Sequence, residues 1–362
     1  MSRTPIATTP ISPSFTPSAD VWYPDGTAIL VAEGEAFRVY SGMLARQSPV
    51  FADMFALPQP PGSEDTTYEG CPVVYMADSA SEMRIFLRIL HDGRYAPCNT
   101  GSTSTSWSLT SHGLNLLRSD NHSMLHNLDP GSLPDLLRIS TKYGVTYLRN
   151  LAIASLHYYF PLQVHRFSDM AQTRTEKMSI GQLFYLANVC RETQAVTLLV
   201  LVLCCCAHLE LKYILYGVSP TAASFSFDRA PLSRIMPHSS LDPTSHEELD
   251  PANKRLVMHS RHHLCRLARL KTYHIVFFGP KHGDAICKDA SAKLARRLLA
   301  GSPDDGFVSP FIGTAQADTM LSFCAKCKQE FRTCTEKGMA AAWETLPGIY
   351  EQGSWEKKLQ LR

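Results

Sequence analysis

The sequence lacks a long apolar run and an excess of charge of either sign. Its longest apolar stretch, residues 195–207, is shorter than the roughly 20 residues that span a bilayer, so we expect a buried helix and no membrane association. The formal net charge of +2 at pH 7 gives no overall attraction to nucleic acid or anionic lipid. Residues 1–18 are rich in Pro, Ser and Thr and lack the apolar core of a secretory signal, which predicts a disordered tail.

Motifs of several well-known enzyme classes are missing as well. The chain has no Gly-rich phosphate loop, no H-E-x-x-H zinc-protease motif and no G-x-S-x-G nucleophile motif. Among its 14 histidines, three cluster in a basic segment and are predicted to be surface groups: His259, His262 and His263. The sequence therefore predicts that the protein is not an enzyme, with an enzyme of another type as the alternative.

Turn-forming residues separate short β-favouring runs in the N-terminal region. Residues 27–31 and 36–39 flank a Glu-Gly-Glu turn, which predicts a β-hairpin. Ser48 stands directly before a proline and predicts a helix start, because its hydroxyl accepts a free backbone N–H. A strand is predicted over residues 71–76, and an amphipathic helix is predicted after Ser79.

The predicted helix pair around Ser48 has a dense set of apolar side chains. These side chains are candidates for the core and for a dimer or partner interface: Met43, Leu44, Val50, Phe51, Met54 and Phe55. An amphipathic stripe does not indicate whose surface covers it, so an entirely intrachain core is an equal alternative for each residue.

Three segments carry a family resemblance: FRVYSGMLARQSPVFADMF, GCPVVYMADSASEMRIFLRILHDGRY and LLRISTKYGVTYLRNLAI. In this order, after the hairpin, they resemble the BTB/POZ domain, and more narrowly the expanded BTB proteins of mushroom-forming fungi. The resemblance covers residues 20–156 apart from a low-complexity insertion, and more weakly the C-terminal region. It implies an α+β BTB fold followed by a mainly α-helical C-terminal region.

The predicted organisation follows from this resemblance and from composition. We expect a tail (1–18), a BTB domain (19–160) with the insertion at 98–131, a helical extension (161–218), a linker (219–251) and a helical C-terminal region (252–362).

The resemblance implies a module for protein–protein interaction. BTB domains commonly form homodimers or pair with another BTB protein, and some are adaptors between a cullin ubiquitin-ligase scaffold and its substrate. Tyr40 and Ser41 stand where many relatives have His and a basic residue in an exposed groove. Eleven cysteines without a signal segment predict reduced thiols, and thus a cytoplasmic or nuclear protein.

The basic segment 254–271 supports an alternative function. It contains six cations and no acidic residue: Lys254, Arg255, Arg261, Arg266, Arg269 and Lys271. Such a helix could contact phosphates in a nucleic-acid-associated transcriptional regulator. Interleaved leucines indicate instead a helix with one side packed on the protein and the other in solvent.

A C-x2-C motif is the strongest chemical signal. The spacing of Cys324 and Cys327 lets two thiolates converge on one tetrahedral metal ion. His282 and Cys287 complete a predicted zinc set, with Cys334 or His274 as substitutes. The alternative is a group of free, partly buried thiols.

Overall fold

The computed structural model describes residues 15–57, 67–91, 130–173, 178–218, 247–281, 284–300, 307–311, 323–351 and 353. Its architecture is α+β and mostly helical, with one five-stranded sheet, which confirms the predicted class at this level. Most of the predicted tail, insertion and linker, together with His282, lies outside the described residues.

The chain divides into two compact units. The first contains residues 1–106 and 138–149, and the second contains residues 107–137 and 150–362.

The sheet belongs to the first unit. Its strands are β1 (Thr16–Trp22), β2 (Ala28–Ala32), β3 (Glu35–Val39), β4 (Thr67–Tyr68) and β5 (Cys71–Tyr75), in the spatial order β1-β3-β2-β5-β4. β2 pairs antiparallel with β3 and parallel with β5, while β1 pairs parallel with β3. The strand β1 begins at Thr16, within the stretch that the sequence assigned to the tail.

The predicted hairpin is confirmed, and its turn explains its register. Glu33 and Gly34 both have positive φ, at 49° and 81°, as a two-residue turn of type I′ requires. This turn matches the twist of the strands, so Ala32 faces Glu35 and Ala28 faces Val39.

The first unit also contains α1 (Ser41–Gln47), α2 (Pro49–Ala56) and α3 (Ala80–His91). Ser48 caps α2 as predicted, because its Oγ accepts the backbone N–H of Phe51 at 3.1 Å. Ser79 and Glu82 form the reciprocal bonds of a capping box before α3. This amphipathic helix then packs on strands β1, β2 and β3.

Two helices each contain residues that belong to both units. They are α4 (Leu133–Lys142) and α5 (Thr146–Tyr159). They meet at Gly144, as the sequence predicted. The φ of Gly144 is +68°, and a Cβ built there would lie 3.1 Å from Cγ of Pro49, so the turn requires glycine.

The described parts of the second unit are mostly helical, with one isolated β-bridge between Val218 and Glu247. The helices of this unit are α6 (Val164–Thr173), α7 (Ile180–Glu192), α8 (Val196–Cys206), α9 (Leu211–Tyr216), α10 (Pro251–Leu267), α11 (His274–Phe278), α12 (Ala285–Ala300) and α13 (Ala325–Ile349). Residues 197–206 of α8 are all buried, which confirms the predicted buried helix. Within the described residues, no helix combines the length and apolar character needed to cross a membrane.

A π-helical segment, Ala268–Thr272, continues α10 and packs against α13. The approach is close at Gly338, since a Cβ built on it would stand 2.3 Å from Cα of Thr272. Only glycine lets the two backbones come this near.

Candidate metal centre

Three cysteines converge at the start of two helices in the second unit. Cys287 is the third residue of α12, Cys324 directly precedes α13, and Cys327 is the third residue of α13. Their three Sγ atoms all lie within 4.8 Å of one another. Because the N-terminal end of a helix carries partial positive charge, both helices favour thiolates at these positions.

Backbone hydrogen bonding links the two halves of this cysteine cluster. The N–H of Cys324 donates to Sγ of Cys287 at 3.3 Å. The residue before α12, Asp284, accepts the N–H of Ile286 through Oδ1 at 3.0 Å and thereby caps the helix. The other carboxylate oxygen, Oδ2, lies 3.9 Å from Sγ of Cys287.

The thiols of the cluster differ in their acidity. The backbone N–H of Cys327 is the main cause that lowers the pKa of Cys324. Burial raises the pKa of Cys327 to about 12, and its neighbouring thiols add to this effect. Burial thus disfavours the thiolate of Cys327, and a metal ion bound at the cluster would offset this cost with its positive charge.

An apolar shell surrounds the cluster. Cys287 and Cys327 are fully buried, and Cys324 is half-buried. They belong to a core that includes Phe323 and Phe331. A shell of this kind is typical of a structural site, since a catalytic metal requires an open position for water or substrate.

The structure brings together three of the four predicted metal ligands. The fourth, His282, lies outside the described residues. The substitute Cys334 is two helical turns beyond Cys327 on α13, about 10 Å along the axis at 1.5 Å per residue. The other substitute, His274, is exposed and stacks on Phe278 at 4.9 Å. Neither belongs to the three-sulfur group.

The six apolar candidates on α1 and α2 divide into three groups by exposure. Leu44 and Phe51 have no exposed surface and lie in the core of the first unit. Val50 is 39% exposed. The other three are half-buried: Met43, Met54 and Phe55.

Several cations of the basic segment have partners within the protein. Arg261 is buried and donates to the carbonyl oxygens of Ala207 and Leu209 at 2.6 and 2.7 Å. Lys254 bonds Glu248 at 3.2 Å and a backbone carbonyl oxygen at 3.0 Å. Of the four interleaved leucines, Leu256 and Leu264 are buried as expected for a packed face, whereas Leu267 is half-buried and Leu270 is 42% exposed.

The structure also contains a serine–histidine pair that the sequence did not reveal. Nε2 of His208 lies 2.5 Å from Oγ of Ser309, and Nδ1 lies 2.6 Å from the carbonyl oxygen of Cys204. Because a carbonyl only accepts, Nδ1 carries the proton and Nε2 accepts from the serine. Burial lowers the pKa of His208 to about 4, which makes it a weak base near neutral pH.

Comparison with known proteins gives no family for this chain. No protein-family model matches it, and no curated protein matches it. Function is therefore inferred from the residues and their geometry.

Proposed function

We propose that this chain is a protein–protein interaction module that self-associates through its first unit and is stabilised by zinc in its second. The order of elements in the first unit supports a BTB-type module: hairpin, helix pair, strand, capped helix and a further helix pair. The observation that carries self-association is the set of solvent-accessible apolar side chains on α1 and α2, in which Val50 is exposed and Met43, Met54 and Phe55 are half-buried.

This apolar patch suits pairing with a second copy of the chain. Val50, at 39%, is the most exposed of the six apolar candidates, and the half-buried Met43, Met54 and Phe55 extend the apolar surface. Charge is sparse and of opposite sign, with exposed Arg46 on α1 and exposed Asp53 on α2. In a twofold dimer the patch of one protomer faces the same patch of its partner, so each Arg46 can approach the partner's Asp53.

Light scattering of the full chain across a concentration series tests self-association. We expect the wild type to be a dimer and the Val50→Asp variant to be a folded monomer, because a charge at this exposed apolar position would be desolvated on pairing. Met258→Asp is the matched control, since Met258 is 36% exposed but lies in the second unit. A monomeric wild type, or a Val50→Asp variant that remains dimeric, contradicts the proposal.

A narrower form of the proposal is an adaptor role, in which the first unit binds a cullin-type scaffold and the helical region presents a substrate. It rests on the BTB resemblance. Capture of a purified cullin that persists at high salt supports the adaptor role. A salt-dependent affinity for duplex DNA or RNA supports the nucleic-acid alternative instead, although Arg261 is buried and bonded within the protein.

We infer zinc at the cysteine cluster from the donor set. Thiolates bind Zn²⁺ at about 2.3 Å in tetrahedral geometry, which places the sulfurs about 3.8 Å apart. The observed sulfurs, all within 4.8 Å of one another, approach that spacing. At this position zinc links the start of α12 to the start of α13 and stabilises the surrounding core.

Elemental analysis of the purified full chain tests the zinc inference. We expect one zinc per chain in the wild type and a large loss in Cys327→Ser. Cys334→Ser is the matched control, because this thiol on the same helix lies outside the cluster. Zinc well below one per chain in the wild type, or unchanged zinc in Cys327→Ser, contradicts it.

A further inference from the structure

Three sulfurs leave one tetrahedral position of the proposed zinc site without a ligand. The carboxylate of Asp284 is placed beside this cluster by the same helix that carries Cys287. Its Oδ2 stands 3.9 Å from Sγ of Cys287, while its Oδ1 is engaged in capping α12. The half-buried side chain therefore directs one oxygen to the helix and the other to the sulfur.

Tetrahedral geometry gives the distance that a fourth oxygen ligand needs. With Zn–S near 2.3 Å and Zn–O near 2.0 Å, an oxygen ligand lies about 3.5 Å from each sulfur. The observed 3.9 Å to Cys287 is close to that value. The carboxylate oxygens do not lie within 4.8 Å of all three sulfurs, so Asp284 has to move toward Cys324 and Cys327 if it binds a metal there.

We propose that Asp284 is the fourth metal ligand, through Oδ2, and that it gives the site a three-sulfur, one-oxygen donor set. This inference rests on the proposed zinc site and names its missing ligand. The bond from Ile286 to Oδ1 keeps Asp284 beside Cys287 before metal arrives. A ligand kept near its site in this way loses less conformational entropy on binding.

The sequence predicted His282 for this position, two residues upstream. Spacing alone favoured it, because histidine is a common zinc ligand and completes a familiar pair with a cysteine. The capping role of Asp284 could be predicted from its place before a helix. Its proximity to Cys287 could not, because that depends on the direction of the side chain.

Cobalt(II) titration of the reduced full chain tests the assignment. Co²⁺ takes the place of Zn²⁺ in tetrahedral sites, and its visible bands report the number and type of ligands. The titration uses a His259→Asn background, since Nε2 of His259 and His263 are 3.2 Å apart on the surface and offer a second place for a divalent ion. The variants are Asp284→Asn, Asp284→Ala and His282→Asn.

Asp284→Asn is the decisive variant, because asparagine also caps helices but lacks the carboxylate charge. If Asp284 is a ligand, we expect a shift of the cobalt visible bands and a loss of affinity beyond the 10–100-fold typical of an outer-shell partner. Asp284→Ala shows the same shift with lower helix stability. His282→Asn leaves both spectrum and affinity unchanged.

Other results separate the failure of this inference from the failure of the zinc proposal. Unchanged bands in both Asp284 variants overturn the ligand assignment, and altered bands in His282→Asn transfer it to the histidine. Either result leaves the zinc proposal in place. A wild type without the spectrum of tetrahedral cobalt overturns both.

Discussion

The ring of Phe51 stacks on the ring of Tyr143, with centroids 4.5 Å apart and planes at 14°. Tyr143 is fixed in turn by its hydroxyl, which donates to Oδ2 of Asp78 at 2.6 Å. Its carbonyl oxygen accepts from Oγ of Ser48, also at 2.6 Å. The cap of α2 and the turn between α4 and α5 thus share one buried contact within the first unit.

This contact predicts which substitution on α2 affects folding. Phe51→Ala should lower the free energy of unfolding by about 3–5 kcal/mol, because it removes a fully buried aromatic ring. Val50→Ala should cost less than about 1 kcal/mol, since Val50 is 39% exposed. Urea unfolding followed by circular dichroism measures both, and equal losses would place Phe51 outside the core.

Local signals accounted for most elements of the first unit. The Ser48 cap, the Ser79 capping box and the turn at Gly144 each depend on residues close together in the chain. Such signals are readable because short-range sterics and hydrogen bonds decide them. The pairing of β1 with β3 was not predicted, since β1 joins the sheet across a parallel register that no adjacent turn fixes.

The candidate metal site, too, was predictable only where its residues are close together in the chain. Spacing placed Cys324 and Cys327 together because one helical turn separates them. Cys287 is 37 residues away from Cys324, and its predicted association rested on residue type and on its spacing from His282. The pair of His208 and Ser309 carries no sequence signal, because 101 residues separate them and only tertiary packing brings them together. The sequence also included Arg261 among the cations of a helix that could contact phosphates, whereas tertiary packing buries it.

Gly338 predicts a steric effect between α13 and the π-helical segment. In Gly338→Ala the new methyl group meets the backbone of Thr272 at 2.3 Å, so one element must move. We expect a loss of about 1–3 kcal/mol despite the better helix propensity of alanine. The control is Gly42→Ala in α1, where nothing lies within 4 Å of the added methyl.

Gly42→Ala should be neutral or stabilising by up to about 1 kcal/mol. Thermal unfolding of both variants measures the difference. A stabilised Gly338→Ala variant would mean that the two helical segments are farther apart than the structure shows.

His208 predicts a dependence of stability on pH. Burial is the main cause that lowers its pKa to about 4, and the cation of Arg261 adds to the effect. The unfolded chain, with a histidine pKa near 6.5, binds a proton first as pH falls. Between pH 6.5 and 4 the unfolded state therefore holds more protons, and stability should fall by on the order of 3 kcal/mol across this range.

Urea unfolding at pH 7, 6, 5 and 4.5 measures this slope in the wild type and in His208→Gln. The variant should lose part of its stability at pH 7, because the bond to Ser309 is altered, and should show a shallower slope below pH 6.5. His262→Gln, on the exposed face of α10, should retain the slope of the wild type. An unchanged slope in His208→Gln would assign the pH dependence to other groups.

The buried Arg261 and the exposed Arg266 of α10 should differ in how much stability the protein loses when each is replaced by lysine. The guanidinium of Arg261 donates to two carbonyl oxygens just beyond α8 and lies 4.6 Å from the ring centroid of Phe307. Both bonds come from one nitrogen, Nη1, at the end of a side chain longer than that of lysine. Arg261→Lys should therefore weaken these bonds and lose the contact of the guanidinium plane with Phe307, at a cost of about 1–3 kcal/mol. Arg266→Lys is the matched control, because Arg266 is exposed and its replacement should change stability by less than about 0.5 kcal/mol.

Filter-binding with duplex DNA at low salt provides a second readout. Arg261→Lys should leave any affinity for DNA unchanged, since a buried guanidinium does not reach phosphates. A selective loss of DNA affinity in folded Arg261→Lys would instead mean that α10 turns this side chain outward.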